Sequence, residues 1–233
     1  MDQSGAVDIR ADLPHRGPAA QAALARVIDS ALPEALVRRA RAEIARLGTE
    51  RLRESYFTTF WLANGRAPAL AVEEAVLALR ALAAPPGAIA GAEWWIGRSY
   101  TNALPIDFHF DQDVNAAVKG ARVRHPLLSS VFFFNSVRGG QLAITDQRPH
   151  MREATRLQAV KPRRNRYALF DGDLLHGVLD ARGHTPGPRA LPGPRGRLRI
   201  TLVVNFWQQR PSDVPAWDES RAYRALRSPR PRE

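Results

Sequence analysis

The rhythm of apolar and polar positions changes once along this chain, near residue 93. Before that point apolar residues recur at helical spacing. Ala22, Ala23, Leu24, Val27 and Ile28 follow Pro18 and predict a first helix. Leu36, Val37, Ala40, Ile44 and Leu47 follow Pro33 and predict a second, stopped at Gly48. The run ALAVEEAVLALRALA, opened by Pro68 and closed by Pro85-Pro86, predicts a third. Residues 54–62 (ESYFTTFWL) carry the aromatics and threonines of a strand.

From residue 93 onward, short β-branched or aromatic runs alternate with Gly, Pro, Asn and Asp. The runs are EWWIGRSY, IDFHFD, LLSSVFFFN, GQLAIT, RLQAV, RYALF, LLHGVL and RLRITLVVNFW. Short strands joined by polar turns predict a sandwich or jelly roll. Helices first and strands after predict one α+β domain over 1–233. In it, 1–92 are mainly helical support packed on a sheet, 93–209 form the β core, and 210–233 form a basic C-terminal tail. The Pro/Gly-rich stretch Ala181–Arg195 is expected to be a mobile loop acting as a lid.

The last run has two unlike faces. Leu198, Ile200, Leu202, Val204 and Phe206 make one face wholly apolar, to be packed under the helices. Arg197, Arg199, Thr201, Val203 and Asn205 make the other, which then points inside the sandwich. An interior guanidinium is costly unless it meets an anion, and a bound carboxylate offers it a two-pronged partner. In Phe108-His109-Phe110-Asp111, a strand puts His109 and Asp111 on one side, as two adjacent metal ligands. His176, in Asp171-Gly172-Asp173-Leu174-Leu175-His176, is the best candidate for a third. Two histidines and a carboxylate on one face suit non-haem Fe(II).

Asp111 is followed 65 positions later by His176, and His176 is followed 23 positions later by Arg199-x-Thr201. This ordered set resembles the Fe(II)/2-oxoglutarate-dependent dioxygenases over residues 93–209, with GGQL at Gly139–Leu142 and LFDGDLLHGV as further likenesses. The resemblance implies a double-stranded β-helix (a jelly-roll, cupin-like core). It implies His109, Asp111 and His176 as iron ligands and catalytic centre, and Arg199 with Thr201 as holders of the distal carboxylate of 2-oxoglutarate. Tyr100 and Asn102, shortly before the metal motif, are candidates to touch the keto acid or the substrate. The implied chemistry converts 2-oxoglutarate and O2 to succinate and CO2 while a substrate C–H is hydroxylated; the presence of Asp111 argues against halogenation. Three departures stand out. The gap between His176 and Arg199 is long. Collagen-type prolyl hydroxylases usually carry Lys where Arg199 stands. AlkB-type nucleic acid demethylases carry a second Arg six residues later, where this chain has Asn205.

Composition narrows the picture. Without cysteine, disulfides, thiolate metal sites and cysteine nucleophiles are excluded. The net charge is +11, yet Lys119 and Lys161 are the only lysines, and such arginine enrichment reads as a solvated basic face. The alternative is a polyanion-binding surface, which would favour the demethylase reading. A cupin-like metal-binding or sensor protein without turnover is a third reading, although it gives Arg199 no purpose. No apolar run approaches a membrane span and the first residues lack a signal-peptide pattern, so a cytoplasmic protein acting on a small molecule or a peptide side chain is expected. Asp113 is a candidate to orient a ligand or else a loop acid. Gln141 and Thr145 are candidate pocket groups, and His15, His125, His150 and His184 are expected at the surface.

Overall fold

The computed structural model of the chain describes residues 22–47, 58–102, 106–185 and 196–220. In chain order the elements are β1 (Ala25–Asp29), α1 (Glu34–Ala45), β2 (Phe60–Ala63), α2 (Ala71–Ala83), β3 (Gly91–Tyr100), α3 (Val114–Val118), β4 (Leu128–Phe133), β5 (Leu142–Thr145), β6 (Leu157–Val160), β7 (Arg166–Asp171), β8 (His176–Val178) and β9 (Leu198–Trp207). Six strands pair in the order β1-β7-β4-β9-β3-β2 and three in the order β6-β5-β8, every pairing antiparallel. Two facing antiparallel sheets with helices on the larger one are the α+β sandwich that the strand rhythm predicts and the double-stranded β-helix that the resemblance implies.

The two-faced pattern of β9 decides the layers. Leu202, Val204 and Phe206 are fully buried and join Val37, Ala40 and Ile44 of α1 and Val72, Ala75, Val76 and Leu79 of α2 in one core. Val203, on the other face, joins Val131, Phe133, Ala168 and Phe170 of the large sheet and Leu142, Ile144 and Val160 of the small one. This second cluster is the filling between the sheets.

A buried acid links the helices. Glu43 of α1 accepts the backbone N–H of Ala71 and of Val72, each at 3.0 Å. These are orphan donors of the first turn of α2, whose own N-cap residue, Leu70, has no polar side chain.

Three expectations need correction. The helix predicted from Pro18 through Ile28 is a strand where it is described: Ala25–Asp29 adds to the free edge of β7. Its spacing fits a helix, but ladder hydrogen bonds to β7 and the ion pairs of Asp29 with Arg163 and Arg166 outweigh that local preference. The run IDFHFD is not a full strand; it touches the small sheet through one bridge, His109 to His176. The supposed tail begins as packed structure: Pro215 O accepts from Trp61 N, and Trp217 is buried in the helix-side core. Residues 221–233, and 186–195 of the expected lid, lie outside the described residues.

Glu43→Ala should lower unfolding free energy by about 2–3 kcal/mol, because two donors lose a charged acceptor. Glu43→Gln, which keeps one accepting oxygen, should lose about half of that. Denaturant midpoints at unchanged slope measure both.

Candidate metal centre and its surroundings

His109 and His176 exchange both backbone hydrogen bonds, N to O at 2.9 Å and 3.0 Å. Residues directly opposite in such a pair project to the same face, and the two imidazoles come to 4.6 Å between ring centroids. Gly177 permits this approach, since a Cβ there would lie 2.8 Å from the Phe108 ring. Asp111 reaches the same place: Oδ1 is 3.8 Å from His109 Nε2, and Oδ2 is 3.5 Å from His176 Nε2. One ligand atom from each of the three residues can be chosen so that all lie within 4.8 Å of one another.

The donor atoms are oriented. His109 Nδ1 donates to Asp107 O at 2.8 Å, and His176 Nδ1 donates to Leu174 O at 2.9 Å. Both rings therefore turn a bare Nε2 toward the shared space, as metal-binding histidines do. Burial holds the pKa of His176 below the ordinary imidazole value despite the attraction of Asp111, which keeps that ring neutral and able to ligate. Ser129 Oγ donates to Asp111 Oδ2 at 2.7 Å, and His125 Nδ1 donates to Asp111 O at 2.7 Å. The Phe170 ring packs edge-on to His176 at 4.9 Å. Asp111 and His176 are buried while the His109 side chain is 45 % exposed, so the group opens on the His109 side.

Arg199 and Thr201 lie on the interior face of β9 and are buried; Arg197, two residues earlier, is exposed. The Arg199 guanidinium carbon sits 5.2 Å from the centroid of Phe133. Thr201 Oγ1 occupies space that a side chain at Gly97 would fill: a Cβ there would lie 2.6 Å from it.

Other expectations fare differently. Tyr100 pairs with Leu198 and alternates with Trp94 and Ile96, which face the helices, while Arg199 and Thr201 lie on the other face of the sheet. Asn102 Oδ1 accepts from Gly196 N at 2.7 Å and so ties the approach to β9. Asp113 is a loop brace. Burial alone would raise its pKa, but the N–H groups of Ala116 and Ser212 and the Arg124 guanidinium outweigh it and hold the carboxyl low. Thr145 Oγ1 donates to Leu175 O at 3.0 Å, on the face away from the inter-sheet filling.

Three residues near the site, Ser129, His125 and Glu93, escape a reading by period alone, and Asn205, placed on the inner face by period, gains its neighbours only from the strand pairing. Ser129 and His125 bear on Asp111 as above. Across the large sheet, Ser129 pairs with Asn205 and Asn205 with Glu93, forming one interior row. Trp207 Nε1 donates to Glu93 Oε2 at 3.0 Å. Burial pushes the Glu93 pKa up to about 7; Thr59 and Trp207 offset this only in part, and the charges of Asp111 and Asp113 add to it.

No protein-family model matches the chain, and no curated protein is similar to it in sequence. Several solved structures are similar in shape. A prolyl-4-hydroxylase from Pseudomonas putida is 19% identical, aligns over 80% of this chain and 94% of its own, and gives a TM-score of 0.45. AviO1 from Streptomyces viridochromogenes Tue57 is 14% identical over 82% of this chain and 92% of its own, at 0.49. HygX from Streptomyces hygroscopicus, with nickel and 2-oxoglutarate bound, is 14% identical over 83% of this chain and 85% of its own, at 0.48. At these identities and scores the likeness is one of fold, and the chemistry has to be read from the chain's own residues.

Glu93 has a raised pKa, so the stability it contributes is complete below its unfolded value of 4.5 and is lost as pH rises through about 7. Metal-free Glu93→Gln protein should therefore gain on wild type as pH goes from about 5 to about 8, by about 2–3 kcal/mol. Parallel denaturant titrations at the two pH values test this; an equal difference at both would contradict it.

Proposed function

We propose that this chain is an Fe(II)/2-oxoglutarate-dependent oxygenase that hydroxylates an unactivated C–H of a small molecule or a peptide side chain. The observation that carries this reading is the convergence of His109, Asp111 and His176 within 4.8 Å, from chain positions 65 residues apart, with both Nε2 atoms bare. Two imidazoles and one carboxylate fit Fe(II), and three protein ligands leave positions for a keto acid and an oxidant. When bound, the iron supplies the oxidation of 2-oxoglutarate by O2 that hydroxylates the substrate.

The chain's own residues do the rest. The carbonyls of Asp107 and Leu174 hold the Nδ1 protons and fix the direction of each imidazole. Ser129 and His125 hold Asp111 from two sides. Arg199 is assigned the distal carboxylate of 2-oxoglutarate, which its planar fork suits, with the Thr201 hydroxyl donating alongside. Phe133, Val131 and Val203, packed between the sheets, keep water from that end. Nucleic acid demethylation is the second choice, because the second Arg of that class is Asn205 here, and salt-sensitive DNA binding would favour it.

Iron stoichiometry should fall in His109→Ala and His176→Ala proteins, and metal analysis after desalting checks it. Unchanged stoichiometry would remove the metal assignment. With Fe(II) loaded without oxygen, 2-oxoglutarate should produce a metal-to-keto-acid charge-transfer absorbance. Arg199→Ala should weaken that titration roughly ten- to a hundredfold, because a two-pronged charged contact is lost. Arg199→Lys should recover part. Succinate formed from 2-oxoglutarate under O2 is the accompanying test of turnover.

A further inference from the structure

The interior face of β3 carries Glu93, Trp95, Gly97 and Ser99, opposite Asn205, Val203, Thr201 and Arg199 of β9. Gly97 leaves room for Thr201, and Ser99 pairs with Arg199, at the end assigned to the keto acid. Glu93 and Trp95 have no part in the chemistry argued so far. Both are half-buried rather than sealed, and they are two apart on one strand, so they project side by side. Glu93 lies two strands from Ser129, the residue that touches Asp111, a lateral distance of roughly 10 Å at ~4.8 Å per strand. That is the reach of a substrate whose other end is at the metal.

Glu93 is a carboxyl inside the fold with no Lys, Arg or His within ion-pair distance among the described residues. The charges nearest in effect are the acids Asp111 and Asp113. Its partner across the strand pair, Asn205, keeps a buried side-chain oxygen that accepts no hydrogen bond among the described residues. Beside them stands the ring of Trp95. A carboxylate, a second acceptor and an indole call for a group that donates more than once and carries positive charge. A hydroxyl has one proton to give; an ammonium has three and no lone pair to leave unmet. An indole also attracts a cation, and indole is the best of the aromatic side chains at doing so.

We infer that Glu93 and Trp95 form the recognition subsite for an ammonium group of the substrate, which rests on the oxygenase reading above. Glu93 holds the cation through the carboxylate lone pairs that Thr59 and Trp207 leave, and Trp95 offers its ring. The residue then selects amines, whether free or as a lysine side chain, over alcohols and carboxylates.

Trp207 is a built-in reporter, because its indole N–H is bonded to Glu93. Protein labelled with 15N at its tryptophan indoles, in the presence of Zn(II) and 2-oxoglutarate, is titrated with n-butylammonium, n-butanol and butyrate. Butylammonium should shift the Trp207 and Trp95 signals saturably, and the other two should not. Glu93→Gln should weaken butylammonium at least tenfold while its amide oxygen still accepts from Trp207, so the remaining indole signals report an intact fold. Trp95→Leu should weaken it several-fold. An equal response to butanol, or an unchanged affinity in Glu93→Gln, would overturn the inference. A tripeptide, acetyl-Ala-Lys-Ala-amide, binding more tightly than butylammonium would support a lysine side chain as the carrier; weaker binding would support a free amine. The Fe(II) charge-transfer titration on the same protein separates the two readings. A normal band without ammonium preference rejects the subsite alone. Ammonium binding without the band rejects the oxygenase reading and leaves the subsite standing.

Discussion

One backbone pairing holds the candidate centre together, the exchange of hydrogen bonds between His109 and His176. Everything else at the centre depends on its register. Among the described residues, the segment around His109 has no other ladder contact with the small sheet, so a slip by one residue would turn its imidazole to the opposite face. The pairing is held from both sides. Gly177 lets the Phe108 ring close over β8, and Ser129, from the large sheet, takes hold of Asp111. The three ligating side chains are thus fixed by both sheets at once, although two of them come from one short loop.

The division of labour between the faces of the large sheet follows from the same constraint. A site with several polar groups inside a fold costs desolvation energy, and that cost must be met elsewhere. On the helix side of β9, Leu202, Val204 and Phe206 are packed without a polar neighbour on that face of the strand. On the inner side, Arg199, Thr201 and Asn205 are buried among fewer apolar residues. Stability is concentrated against α1 and α2, and chemistry is left to the space between the sheets. Glu43, capping α2 from α1, serves the stable half.

What was legible in the chain is what depends on strand period. Arg199 and Thr201 share a face because a strand repeats every two residues, and the structure keeps that pair; His109 and Asp111 also converge, but on a loop with one bridge rather than on the strand expected. His176 was legible because a polar residue interrupts an apolar run. Register was not legible. Ser129, Asn205 and Glu93 lie in one row only because β4, β9 and β3 are neighbours in that alignment, and the sequence order of those strands does not say so. Tyr100 shows the same limit: strand period groups it with Trp94 and Ile96, but which of the two faces turns inward was decided by the helices. At β1, the helical spacing of Leu24, Val27 and Ile28 misled because a free strand edge at β7 was available, and nothing in five residues announces a distant edge.

The charges inside the fold allow a last step. In the proposed centre, the formal charges of Fe(II), Asp111, a 2-oxoglutarate dianion and Arg199 would cancel, which would lower the cost of holding them inside the fold. Asp113 is matched by Arg124. Glu93 has no such counterpart among the described residues, and burial first, with the charges of Asp111 and Asp113 added, pushes its pKa up to about 7. Ionising it alone would leave a net negative charge in a poorly hydrated space; ionising it against an arriving cation would not. The proton on Glu93 and a substrate cation therefore compete for the same carboxylate. The substrate that displaces the proton is the one that completes the charge balance begun at His109, Asp111 and His176.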